Sequence, residues 1–313
     1  MTECNHDWLN APSDAFRQWQ KLEATGATGR SFSDRSIVQH SAMFERFLRF
    51  LAMRGTNVAH FGEDQFAAFL EDLAGDCRAG TSTVLRYAKL IDRICRHLVG
   101  VGLRTDNPAA IRARVSPWPT KEPVPAYLNE SADIRLQAAL QGGLRTDART
   151  TRNRAAVALL LATGITSAEV RRARREHVIA TGNRLRFVVA AHGARAERIV
   201  PIAPFASDLL DDWLQDSAAP GDELLFPLRG PGGSLSEETL WRAVREALDA
   251  QGHGGGDTSP RVLRNTFGRR LLIAGRSNDE VSRLMGLTSQ RTVVRLRATL
   301  PVSGESLTLA TAP

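Results

Sequence analysis

The chain holds only two tyrosines, Tyr87 and Tyr127, and three lysines, Lys21, Lys89 and Lys121, so residues 128–313 contain neither type. That absence excludes a phenolic nucleophile and an ammonium acid from the whole C-terminal half. Cysteine is nearly as scarce. Cys4, Cys77 and Cys95 are widely spaced, which excludes a disulfide framework, and no Cys/His cluster has zinc-ligand spacing. No apolar run approaches the roughly 20 residues that a bilayer span needs, so no membrane partner is expected. The first ten residues, MTECNHDWLN, lack a basic stretch followed by an apolar one and predict no signal peptide. A cytoplasmic protein is the expectation.

What is present in excess is arginine. Of 41 basic residues all but three are arginine, and the net charge is +7. Arginine suits bidentate phosphate contacts and guanine edges, although a GC-rich genome would favour it too. The charge is segregated. Segment 165–200 has eight arginines and three acids, segment 261–297 nine and two, and segment 201–257 between them three and eleven. If the two basic segments meet in space, they form a face that attracts and orients polyanions. Ordinary solvated helices are the alternative reading.

At 313 residues with 42% hydrophobic content, the chain is long enough for two domains with cores. Residues 1–30 read as mixed, with a flexible turn over 24–29. Helical spacing predicts helices from Ser33-Asp34 to Gly55, from Gly62 to Leu73, and from Thr81-Ser82-Thr83 to Val99. An all-α domain over 30–110 follows. Segment 111–127 carries Pro117, Pro119, Pro123 and Pro125 and predicts an extended domain linker. The second domain, 128–300, reads as helices around 132–141, 154–163 and after Ser167, then strands over 184–191 and 197–202 joined by a turn. Helices over 207–214, 236–251, 260–274, 278–285 and 288–299 complete it. Residues 301–313 read as a tail. The fold class is mainly α with a small antiparallel sheet.

Four local stretches share one likeness. Ala162 to Val170 (ATGITSAEV) resembles the box ATGLRxSEL of the tyrosine recombinases, the phage integrase family. Arg195 to Ile202 (RAERIVPI) resembles the end of that family's hairpin, xKERxVPL. Pro260 to Phe267 (PRVLRNTF) resembles PHxLRHTF, and Leu284 to Ser289 (LMGLTS) resembles LLGHSS. Thr81–Leu98 with Asn107-Pro108 resembles the end of the family's core-binding domain. The likeness covers roughly residues 30–300. It implies a SAM-like helical core-binding domain followed by a catalytic-type α+β domain, with double-stranded DNA as partner and no cofactor or metal.

The resemblance also implies what is missing. The first box's arginine is Thr166. The hairpin lysine falls near His192 or Gly193. The histidine of HxxR is Arg261, and its arginine survives as Arg264. The histidine after Leu-Gly is Leu287, and the nucleophile falls at Leu296. The family reaction needs a phenol to attack phosphorus, two guanidiniums on the transition state and a proton donor. Losing one such stabiliser costs about 10²–10³ in rate, so strand cleavage is not expected. DNA contacts are expected from Thr83, Arg86, Lys89 and Arg93 along one helix, which in the family enters the major groove. They are also expected from Arg171, Arg174 and Arg175 on the helix after the first box, from Arg195 and Arg198 at the hairpin, from Arg261 and Arg264 facing one way, and from Arg291. Outer polar faces and structural ion pairs are the alternatives for these residues. The functional expectation is a DNA-binding regulator or accessory factor of a mobile element, partnered by itself or by an active recombinase. An active recombinase with an unusual or partner-donated nucleophile, and a helical interaction protein that no longer binds DNA, are the alternatives.

Overall fold

The computed structural model describes residues 3–301 apart from 27–28, 30, 78–80, 116–122, 142–146, 183, 193–194, 217–222 and 229–232. The chain divides into two compact units, 1–123 and 124–313, each with its own hydrophobic core. No helix among the described residues is long and apolar enough to cross a membrane.

The named elements among the described residues of the first unit are all helices, beside one isolated bridge between Thr25 and Ser31. α3 (Asp34–Met53) starts where the Ser33 Oγ accepts from the Ser36 N–H at 3.3 Å, the N-cap arrangement that satisfies an orphan donor. It buries Phe44, Phe47, Phe50 and Leu51 against α4 (Glu63–Asp76) and α5 (Thr83–Gly100). Residues 3–22 are not the mixed segment expected. They form α1 (Glu3–Asn10) and α2 (Pro12–Leu22). Pro12 fits a first turn, and Ala15, Phe16, Trp19 and Gln20 fall on one buried stripe. Phe16 lies 4.5 Å from Phe44, ring to ring, so these helices complete the core. α6 (Ala110–Val115) occupies the start of the stretch expected to be extended. The prolines at 117 and 119 lie outside the described residues, as does the tail from 302.

The second unit is mainly helical around a small sheet. α8 (Ala148–Thr163) is buried continuously from Ala155 to Thr163, so it runs through the middle of the core. It begins earlier than its apolar run suggests, because the Asp147 carboxylate accepts from the Arg149 and Thr150 N–H groups at 2.9 and 3.2 Å. α7 (Glu130–Gln141), α10 (Ser207–Asp216), α11 (Glu237–Asp249) and α12 (Pro260–Ile273) pack around it. α12 is also tied to its surroundings by polar bonds. The Leu128 N–H donates to Thr266 Oγ1 at 2.9 Å, Asn265 Nδ2 to the Ala126 carbonyl at 2.8 Å, and Arg270 to Asp133 at 2.7 and 2.9 Å.

The sheet has three antiparallel strands in chain order: β1 (Val178–Thr181), β2 (Arg184–Val189) and β3 (Arg198–Pro201). Two of them match the expected hairpin, with shorter bounds. β1 was not expected, because its four residues carry too little alternation to stand out. α9 (Ser167–Arg171), α13 (Asn278–Met285) and α14 (Arg291–Arg297) complete the unit.

Candidate nucleic-acid interface

The site is built around the turn from α8 to α9. Gly164 ends α8 at φ +61°, and a Cβ there would lie 2.2 Å from the Phe267 ring, so both the backbone and the packing require glycine. Two residues on, Thr166 caps α9. Its N–H donates to Glu169 Oε2 at 2.7 Å, and its hydroxyl accepts from the Glu169 N–H at 3.3 Å. This reciprocal box satisfies two helix-end donors. Thr166 therefore holds the turn and supplies no charge.

Glu169 turns its carboxylate inward. Arg198 of β3 donates Nη1 and Nη2 to its two oxygens, each at 3.0 Å, and both side chains are 7% exposed. The Arg198 Nε donates to the Leu284 carbonyl at 2.9 Å. Burial pushes the Glu169 carboxyl up, but the Arg198 bonds and the Thr166 N–H together hold it at about 2. Gly286 ends α13 at φ +61°, and a Cβ there would sit 2.5 Å from the Arg198 guanidinium. Sequence reading placed Arg198 on a DNA-facing hairpin edge; its guanidinium is instead enclosed and committed to internal partners.

Arg264 is similarly enclosed. It donates to the Gly164 carbonyl, and to the Met285 carbonyl at 2.6 Å. Burial lowers its pKa to about 10, Glu169 opposes that fall, and Arg195 and Arg198 add to it. It remains a cation at neutral pH. Arg261, one turn earlier on α12, is exposed and has no partner among the described residues. The two do not share an outer face as expected, because α12 is buried from Val262 to Gly268, which encloses Arg264 and leaves Arg261 in solvent.

Arg195 stands at the edge of this cluster, 39% exposed, with Nη1 3.5 Å from Glu169 Oε1. Arg198 already neutralises that carboxylate, so the charge of Arg195 is in excess. Leu296 of α14 is fully buried, and a Cβ on Gly268 of α12 would approach it to 3.2 Å. Leu287 packs half-buried against the same core. Gly193 lies outside the described residues, and its neighbour His192 is exposed.

The run of arginines after the first box is not all on a helix, since α9 ends at Arg171. The Arg171 Nε donates to the Leu235 carbonyl at 2.8 Å. Arg174 pairs with Glu223 at 2.5 Å, and Arg175 donates to the Leu214 carbonyl. Arg172 is exposed, and its side chain has no partner among the described residues. Together with Arg171, Arg174, His177 and His192 it rims a cleft of about 500 Å³. Arg291 is exposed at the start of α14.

In the first unit, α5 presents Thr83 half-exposed, Arg86 and Lys89 exposed, and Arg93 half-buried over the Phe32 ring at 4.9 Å. Sequence reading missed the roles of Glu169 and Gly286. The capping spacing Thr-x-x-Glu over 166–169 signals a helix start, but nothing local signals that Arg198 closes on it.

The description of the phage integrase family fits residues 134–299. Tyrosine recombinase XerC of Mycobacterium bovis is 30% identical over 305 residues, covering 93% of this chain and 97% of that protein. Tyrosine recombinase XerD of Mycobacterium leprae is 28% identical over 279 residues, covering 84% and 86%. Among solved structures, the XerH site-specific recombinase bound to palindromic difH substrate in a post-cleavage complex superposes at a TM-score of 0.70 and 17% identity, over 95% of this chain and 84% of that one. A lambda integrase dimer bound to a COC' core site superposes at 0.63 and 15% identity, over 93% and 94%. At these identities the structural likeness speaks for the fold.

Proposed function

From the premise that the chain belongs to the phage integrase family of tyrosine recombinases, we propose that it binds duplex DNA without cutting it. It would serve as a regulator or accessory factor of a mobile element, associated with the nucleoid and partnered by itself or by an active recombinase. The observation that carries this reading is the buried Leu296 packed beside Gly268. An alkyl side chain cannot attack phosphorus, and here it is a core residue. Thr166 caps a helix where the family places a cation, and the half after residue 127 has no phenol or ammonium to offer. The turn between α8 and α9 is instead held by Glu169 with Arg198 and by Arg264 with two carbonyls. On this reading Arg86, Lys89, Arg172, Arg195, Arg261 and Arg291 would meet phosphates.

The test is equilibrium binding of the purified chain to genomic duplex DNA across salt. Each neutralised phosphate releases roughly 0.9 of a counterion, so the affinity should fall steeply with salt. Binding too weak to measure at low salt would favour the helical interaction protein instead. A second reading is supported by the named relatives, which are recombinases 28–30% identical over most of this chain. On that reading the chain takes part in cleavage with a nucleophile given by a partner, and covalent trapping separates the two.

A further inference from the structure

Between α3 and α5 of the first unit runs a groove of about 270 Å³, lined by His40 and Met43 on one side and by Arg86, Lys89 and Arg93 on the other. No carboxylate lines it among the described residues. His40 is half-buried, and its Nδ1 lies 2.8 Å from Oε1 of the wholly buried Gln20. Nδ1 is therefore held by the Gln20 amide, and Nε2 is the ring nitrogen left for the groove. Phe32 fixes the arrangement. Its ring meets His40 edge-on at 4.9 Å and lies under the Arg93 guanidinium.

We infer that His40 is a proton-linked phosphate ligand: when a nucleic-acid backbone enters this groove, the ring takes up a proton from solvent and, as imidazolium, its Nε2–H donates a hydrogen bond to a phosphate oxygen beside Arg86, Lys89 and Arg93. The inference rests on the reading of the chain as a DNA-binding protein. In the empty groove, burial first and Arg93 second hold the ring below its ordinary pKa of 6.5, so it is neutral at pH 7. A bound phosphate reverses the local charge and favours the imidazolium. Among the described residues, its other contacting neighbours do not titrate. α2 offers neutral Gln20, the segment before α3 offers Phe32, and the neighbours one turn away on α3 are Ser36, Ile37, Met43 and Phe44. The sign follows from linkage. The bound pKa exceeds the free one, so the extra affinity is complete below the free value and is lost as pH rises through the bound value. The steepest slope is one proton, about tenfold per pH unit.

The full chain is titrated with genomic duplex DNA at fixed salt between about pH 5.5 and 8, beside His40→Gln. The wild type should bind about three- to tenfold more tightly at the acid end, and His40→Gln should lose that gain. In parallel, the NMR titration midpoint of the His40 ring should rise on adding DNA, a readout that does not depend on the variant folding. Salt-dependent binding with no pH dependence, a His40→Gln slope equal to that of the wild type, or an unmoved midpoint would overturn the inference and leave DNA binding intact. No salt-dependent binding at any pH would instead remove the reading beneath it.

Discussion

Along α5, Arg86 stands exposed beside a groove lined by no described carboxylate, whereas around Gly164 the guanidiniums of Arg198 and Arg264 are buried and their hydrogen bonds are all internal. The residue types are alike and their surroundings are opposite. Whether a cation is available depends on the acceptors within its reach. Arg104 makes the same point inside the first unit. It is buried, donates to the Val58 and Phe61 carbonyls at 2.7 Å each, and stacks on Phe61. A basic count of sequence segments mixes these two kinds of arginine.

The largest expected effect is on stability. Arg198→Ala leaves the buried Glu169 carboxylate without its bidentate partner, and should cost about 3–5 kcal/mol in urea unfolding. Arg86→Ala and Lys89→Ala should each stay within about 0.5 kcal/mol of the wild type. Equal losses in the two regions would break the contrast. Leu296→Ala should cost about 2–5 kcal/mol through the cavity it leaves. Leu296→Tyr should cost about 1–3 kcal/mol through overpacking beside Gly268. A Leu296→Tyr chain as stable as the wild type would mean that this corner of the core holds room for a phenol. Gly286→Ala meets both a positive φ and the Arg198 guanidinium, and about 1–3 kcal/mol is the expected loss.

Acid sharpens the same comparison. The Glu169 pKa is depressed from 4.5 to about 2, so its contribution to stability is complete above the ordinary value and is lost as pH falls toward 2. Glu169→Gln should start less stable and show a shallower loss between those limits in pH-dependent melting. Parallel curves would sever Glu169 from acid unfolding. The smallest effects concern binding. Arg86→Ala and Lys89→Ala should each reduce the salt slope of duplex binding by roughly 0.9, while Arg198→Ala, measured under conditions where it is folded, should leave the slope unchanged.

Much of the fold was legible because its signals are local. Ser33, Ser236 and Ser259-Pro260 mark helix starts, and Gly164 and Gly286 mark helix ends, each within a few residues of the element it bounds. α1 and α2 were missed because Pro12 breaks their apolar pattern into two short pieces, and β1 because four residues carry little periodicity. The ordering of the family boxes was legible for the same local reason. The state of the site was not. Arg198 reaches Glu169 across 29 residues and Leu284 across 86, and no spacing within the hairpin foretells either. Arg261 and Arg264 look equivalent by helical spacing, yet burial of α12 over 262–268 leaves one in solvent and the other inside.

The claim that matters most is that this scaffold holds DNA without forming a bond to it. DNA fragments recovered from a genome-wide pulldown with the purified chain are nicked to trap any cleavage intermediate, incubated with the wild-type protein, and run in parallel on native and denaturing gels. Loss of cleavage predicts a shifted band on the native gel and no denaturant-resistant adduct. A covalent protein–DNA band from the wild-type chain alone would contradict it and establish the chain as an active recombinase with an unrecognised nucleophile.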